Sequence, residues 1–234
     1  MKTKRNFTLV ELLIVIAIIA ILASMILPAL RSALDKSRAI SCTSNQKQLV
    51  TATFLYVDDN KGFLTPDSVK YSDDLPSVKW ATILWNYTTH EPISYEFAYL
   101  KKINGGDTFE PRLSMFRCPA VMEPFKVSVE MKHIGMNYYL CGSSYISNLF
   151  ITKCRWPSAR MLYADFYSSS GYASTIDSPA SSSSSKITYL HPGLTATVTH
   201  LDGHVKAWNM YAVPQTAWDS RFWGGNTSCK GDKP

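Results

Sequence analysis

Residues 7–30 read FTLVELLIVIAIIAILASMILPAL, and among these 24 residues only Thr8, Glu11 and Ser24 are polar. A helix of that length rises about 36 Å, more than the ~30 Å hydrocarbon core of a bilayer. Lys2, Lys4 and Arg5 stand immediately before it, and the positive-inside bias holds such a leader in the cytoplasm and sends the remainder outside. The stretch therefore predicts one membrane span with almost the whole chain beyond it. Glu11 stands out: an acid within an apolar helix is a functional candidate by default. The plainer alternative is an interfacial carboxylate one turn inside the helix.

Helical periodicity resumes directly after Pro28, so the proline is expected to bend the helix rather than end it. Leu30, Ala33, Leu34, Ser37, Ile40, Ser41, Leu49, Ala52 and Tyr56 fall close to one face, with Arg31, Asp35, Lys36, Arg38, Lys47 and Gln48 mostly elsewhere. The pattern stops at Asp58-Asp59-Asn60-Lys61-Gly62, a run of turn formers. One helix over 7–57 would be roughly 75 Å long. Its first half is lipid-soluble and its second half amphipathic, which suits packing of the outer part against a globular head.

The 234 residues leave about 175 after the helix, ample for one core. Of the formal charge of +6, three positive charges sit in the leader, which leaves +3 for the rest. No arginine-rich block occurs, and no nucleic-acid partner is expected. Leu22-Ala23-Ser24 has the form of a secretory cleavage site, but the apolar run continues past it. Export permits disulfides, and there are five cysteines, Cys42, Cys118, Cys141, Cys154 and Cys229. Their number is odd and no CxxC pair is present. Cys141 and Cys154, which flank a short segment, are the candidate bridge.

The stretch Lys4-Arg5-Asn6-Phe7-Thr8-Leu9-Val10-Glu11-Leu12 resembles the class III signal of type IV prepilins and type II secretion pseudopilins. That signal is a short basic leader, a cut before Phe, and Glu as the fifth mature residue. The chain carries Asn6 where the family usually has Gly. The resemblance implies that prepilin peptidase cuts between Asn6 and Phe7, that the new Phe7 amine is N-methylated, and that Glu11 pairs with the Phe7 amine of a neighbouring subunit. Physics agrees, because a buried carboxylate and a buried ammonium are each costly alone and much less so together. The partners implied are copies of the chain or other pilin-like subunits, the peptidase and N-methylase, and inner-membrane lipid. The expected location is the bacterial inner membrane, single-pass, with the head in the periplasm or at the cell surface.

In the head, 80–87 (WATILWNY) and 95–100 fit either helix or strand, and 116–119 (FRCP) reads as a strand end entering a turn. Residues 135–139 suggest a strand after a glycine turn, and 160–166 (RMLYADF) a central strand. Residues 168–185 are serine-rich and read as a surface loop. The clearest β signal is 195–201 (TATVTHL), the turn Asp202-Gly203, and a return strand over 204–208. This stretch resembles the C-terminal prepilin-processing-associated signature, a histidine, nine residues, then Asp-Gly. Here ten residues separate His191 from Asp202. Cys42-Thr43-Ser44-Asn45, Phe116-Arg117-Cys118-Pro119 and Gly135-Met136-Asn137-Tyr138 fit the same group.

His191, His200, Asp202 and His204 are candidate ligands for a transition metal, with Asp165 on a neighbouring strand. The bland reading is that Asp202 serves the turn and that His200 and His204 form a solvent-facing cross-strand pair. Asp67, Asp73 and Asp74 leave calcium open, whereas Asp58, Asn60 and Gly62 do not match a calcium loop. No nucleophile elbow or phosphate loop occurs, and Asp58-Asp59 and Asp73-Asp74 are adjacent rather than opposed across a cleft. No resident cofactor is expected, and the chain does not read as an enzyme. The expected fold is α+β and pilin-like, a long N-terminal helix packed on a C-terminal antiparallel sheet. Its parts are a leader (1–6), a transmembrane assembly helix (7–30), an amphipathic continuation (31–60) and a head (61–234). The expected role is a filament subunit. The alternative is a membrane-anchored binding module for a glycan or protein.

Overall fold

The computed structural model describes residues 8–69, 77–89, 100–103, 108–111, 114–121, 125–126, 131–141, 149–168, 175–176, 185–214 and 221–223. The chain divides into two compact units, Met1–Ser37 and Arg38–Pro234. One helix, α1 (Leu9–Asp59), begins in the first and ends in the second, and it continues through Pro28. In the first unit every large apolar side chain from Leu9 to Leu34 is exposed. Length and composition make this helix able to cross a membrane, and none of its most apolar stretch is buried within the chain.

The second unit opens with the outer part of α1. Then follow β1 (Ser68–Val69), β2 (Val78–Lys79), α2 (Trp80–Thr89), β3 (Leu100–Ile103), β4 (Thr108–Pro111), β5 (Phe125–Lys126), β6 (Met131–Asn137), α3 (Tyr138–Cys141), β7 (Met161–Ser168), β8 (Thr175–Ile176), β9 (Ser185–Ile187), β10 (Thr195–His200) and β11 (Val205–Asn209). The main sheet runs β11-β10-β7-β6-β8, with β9 also on β7. All its pairings are antiparallel except β6 with β8. Two small antiparallel sheets, β1-β2 and β3-β4-β5, complete the described elements. The ambiguous 80–87 stretch is helical, and its Trp80, Ala81, Leu84 and Trp85 enter the core. Residues 95–99 lie outside the described set, and Leu100 opens β3. A 3-10 turn over Ser114–Phe116, not a strand, leads into Cys118-Pro119. Of the serine-rich stretch, 175–176 form β8 and Ser185 opens β9; 169–174 and 177–184 lie outside the described residues.

Gly135 is in the middle of β6 rather than at a turn. A Cβ there would stand 2.7 Å from the Phe166 ring and 2.8 Å from Ile176, so glycine lets the two packed side chains close over the strand. The helix ends as its turn formers require. Gly62 N–H donates to Val57 O at 2.8 Å, a six-to-one closure. Lys61 (φ 57°) and Gly62 (φ 86°) both take left-handed backbone to make it.

The core lies where α1 covers the sheet: Leu49, Val50, Ala52 and Val57 pack with Met136, Met161, Tyr163, Phe166, Ala196 and Val198. The buried helix face is only in part the one that apolar spacing marks: Leu49 and Ala52 of that face are buried, and Lys47 and Gln48 off it are exposed. Leu30, Leu34 and Ile40 are exposed, while Cys42, Asn45, Gln46 and Thr53 are buried. Each of these polar groups has a partner, which is what makes its burial tolerable. Thr53 Oγ1 meets the Tyr163 hydroxyl at 2.7 Å, and Asn45 donates to Arg117 O at 2.8 Å. Gln46 donates to Thr197 O at 3.0 Å and accepts from Thr199 Oγ1 at 2.7 Å.

β7 changes partner along its outer edge, pairing with β10 as far as Ala164 opposite Val198 and with β9 from Phe166 opposite Ile187. Asp165 stands at this fork. Its backbone O accepts from Thr188 N–H at 2.9 Å, and its carboxylate accepts from Thr197 N–H at 2.6 Å. The side chain thus does for β10 what a ladder carbonyl does elsewhere. His191, on the connection from β9 to β10, is delivered to the same fork by reciprocal backbone bonds with Thr195 at 3.1 and 3.3 Å.

Candidate functional site

Asn6 and Phe7 lie outside the described residues. Glu11 is described, and it caps its own helix. Its Oε2 accepts from Thr8 N–H at 2.9 Å and from Thr8 Oγ1 at 2.8 Å, and Glu11 N–H donates back to Thr8 Oγ1 at 3.3 Å. This is the reciprocal capping box of a Thr followed three residues later by Glu. The sequence signal is Thr8-x-x-Glu11 at the head of an apolar run, and the reading of Glu11 as an isolated acid passes over it. Two orphan donors at the helix start are satisfied, while among the described residues Oε1 receives no hydrogen bond.

The structure splits the set His191, His200, Asp202 and His204. His191 precedes β10 and His200 ends it, and five strand rises separate Thr195 from His200 by about 17 Å. At the far end, a four-residue connection with Gly203 at φ 87° links β10 to β11. Gly203 N–H donates to His200 O at 2.9 Å, and His200 N–H to His204 O at 2.8 Å. Asp202 binds His204 Nδ1 at 2.6 Å. His200 does not face solvent. It is fully buried, stacked on His204 at 3.9 Å and close to Trp208 and Phe222, with no hydrogen-bond partner on either ring nitrogen among the described residues.

Burial first, and the neighbouring His204 second, push the His200 imidazole down to about 4; Asp202 opposes the shift and Lys206 adds to it. The unfolded ring takes its proton near pH 6.5, before the folded one. Stability held by the neutral ring is therefore complete above about pH 6.5, declines as pH falls toward about 4, and levels off below that. Urea midpoints at about pH 7 and about pH 5 should differ more for the wild type than for His200→Phe, which keeps the aromatic packing and removes the titration.

At the fork, His191 meets Asp165, the neighbouring-strand carboxylate expected with it, and two cysteines that the sequence reading does not place there. Its Nε2 lies 3.1 Å from Asp165 Oδ2 and 3.6 Å from Cys118 Sγ. Cys42 Sγ, from α1, donates to Asp165 Oδ1 at 3.1 Å. One potential ligand atom from each of Cys42, Cys118, Asp165 and His191 lies within 4.8 Å of all the others, and all four residues are buried. Gln46 Nε2 donates to Asp165 Oδ1 at 3.3 Å, and Cys118 N–H to His133 Nδ1 at 3.4 Å. Burial opposes a charged His191, but Asp165 and then Cys118 beside it overcome burial and push the imidazole up to about 10. The Cys42 thiol beside Cys118, with His191, draws the Cys118 thiol down to about 7 against burial. Cys42 moves the other way, raised by Cys118, burial and Asp165.

The expected Cys141–Cys154 bridge is not formed in this structure: Cys154 is a buried thiol whose Sγ donates to Phe150 O at 3.6 Å, and the Cys141 side chain lies outside the described residues. Asp73 and Asp74 also lie outside, and Asp67 engages Lys79 at 3.6 Å. Asp59 accepts from the Tyr87 hydroxyl.

A long apolar N-terminal helix with a C-terminal antiparallel sheet is an α+β, pilin-like arrangement. Residues 1–27 match the prokaryotic N-terminal methylation motif. Over 77 residues, 33% of this chain, the sequence is 36% identical to the type IV wide pilus major component PilA4 of Thermus thermophilus, and the match spans 59% of that protein's length. No solved structure matches the chain.

Proposed function

We propose that this protein is a structural, non-catalytic subunit of a type IV pilus-like or type II pseudopilus-like filament. Prepilin peptidase cuts it between Asn6 and Phe7, and the Phe7 amine is methylated. Before assembly, 7–30 crosses the inner membrane with lipid around it, and the head stands outside the cytoplasm. In the filament, the same helix packs against copies of itself or other pilin-like subunits, head-to-tail contacts that generate an open fibre.

The observation that carries this reading is the apolar first part of α1, whose most apolar stretch the chain leaves uncovered, within a match to the methylation motif over residues 1–27. Such a surface needs lipid or other helices around it, because exposing it to water costs about 25 cal/mol per Å². Mass spectrometry of the protein from its own membranes is the test. A chain beginning at N-methylated Phe7 is expected. An intact Met1 overturns the reading and leaves an anchor with a binding head, for a glycan or a protein, in its place.

A further inference from the structure

We propose that Cys42, Cys118, Asp165 and His191 form a structural zinc site that ties the outer part of α1 to the sheet fork. The four residues come from four places: α1, the turn after the Ser114–Phe116 3-10 segment, β7, and the β9 to β10 connection. Zinc bonds of about 2.0 Å to N or O and about 2.3 Å to S set the edges of a coordination tetrahedron at roughly 3.3–3.8 Å. Three contacts within the cluster fall near these values: 3.1 Å from Cys42 Sγ to Asp165 Oδ1, 3.1 Å from Asp165 Oδ2 to His191 Nε2, and 3.6 Å from His191 Nε2 to Cys118 Sγ. The Asp165 contacts use both of its oxygens, and the four ligand atoms, one per residue, lie within 4.8 Å of one another, so closing on zinc draws the set together by up to about 1 Å at its widest.

The donor set decides the metal. Two sulfurs with an imidazole favour zinc over calcium or magnesium, which take oxygen ligands. Four protein ligands leave no open position, the mark of a structural rather than catalytic zinc. An outer shell stands in place around Asp165: Gln46 Nε2 at 3.3 Å on Oδ1, and Thr197 N–H at 2.6 Å on Oδ2. Such partners fix a ligating carboxylate in its orientation. Binding displaces the protons now shared among the thiols, the carboxylate and the ring, and its free energy becomes folding free energy of the head.

The site does not depend on the filament reading, and its test is separate. Full-length protein is extracted in detergent without chelator, its metals are measured by inductively coupled plasma mass spectrometry, and its thiols are mapped by alkylation. The expected result is about one zinc per chain, with Cys42 and Cys118 protected from alkylation until a chelator is added. Cobalt exchange into the wild type should give visible d–d bands with sulfur-to-cobalt charge transfer, a signature that needs no variant. His191→Gln and Cys118→Ser should weaken zinc binding more than tenfold, and chelation should lower the Tm of the wild type but not of Cys118→Ser. A Cys42–Cys118 disulfide in the exported protein overturns the proposal. So does a protein with both thiols reduced that binds no zinc on dialysis against it, or a cobalt form without charge transfer.

Discussion

Glu11→Gln is expected to leave the protein in the membrane at its normal level and to cut filament yield at least tenfold. Glutamine at this position keeps the capping box, because its amide oxygen accepts from Thr8 N–H and Oγ1 as the carboxylate does at 2.9 and 2.8 Å. The substitution therefore removes a charge and little else. In the single chain that charge has an internal partner, so insertion should not suffer. In the filament, under the proposed function, the carboxylate meets the Phe7 ammonium of a neighbour away from water. Leaving one member of a buried pair alone costs about 3–5 kcal/mol, and every 1.4 kcal/mol is tenfold in an equilibrium. Sheared filaments and the membrane fraction are quantified side by side for Glu11→Gln and Glu11→Ala. If Glu11→Gln assembles normally and Glu11→Ala does not, helix capping accounts for the residue, and the pair between subunits is wrong.

The two ends of the chain were legible in the sequence for different reasons. Residues 7–30 need only composition, since a helix that long and apolar has few other uses in water. The β10 to β11 hairpin needs period-two alternation and a glycine, and Gly203 takes the left-handed backbone that the turn demands. The buried face of α1 was legible only in part, at Leu49 and Ala52, because periodicity counts apolar side chains. This face is carried by Cys42, Asn45, Gln46 and Thr53, whose partners lie far away in sequence: Gln46 and Thr199 are 153 residues apart, Cys42 and Asp165 are 123. The cluster was half legible, in His191 and Asp165 but not in Cys42 and Cys118. His191 stands out as chemistry-bearing, but His200, Asp202 and His204, its nearest companions in sequence, are held away from it by the length of β10. Asp165 on a neighbouring strand is the member of the expected set which stays with His191; what local spacing does not encode is that β7 switches partner at Asp165 and that Cys42 and Cys118 join it there. A weak signal existed in two cysteines, Cys42 and Cys118, that no CxxC pairing explains.

Asp165→Ala is expected to lower the stability of the second unit by about 3–5 kcal/mol, the cost of breaking a buried charged pair and orphaning its donors. Four groups lose an acceptor at once: Thr197 N–H at 2.6 Å, Cys42 Sγ and His191 Nε2 at 3.1 Å each, and Gln46 Nε2 at 3.3 Å. No water can replace the carboxylate cheaply, because the residue is fully buried. Losing the Thr197 contact also leaves a backbone donor unpaired where β10 and β9 part, so the fork should loosen on both sides. For a head of this size the loss corresponds to roughly 10 °C in Tm, read from tryptophan fluorescence of the full-length protein in detergent. Asp165→Asn retains one carbonyl oxygen in place and should lose about half as much. Chelator-treated wild type and chelator-treated Asp165→Ala should still differ, since the hydrogen bonds at the fork need no metal. A midpoint unchanged by Asp165→Ala would mean that the carboxylate is not what holds β7, β10 and α1 together.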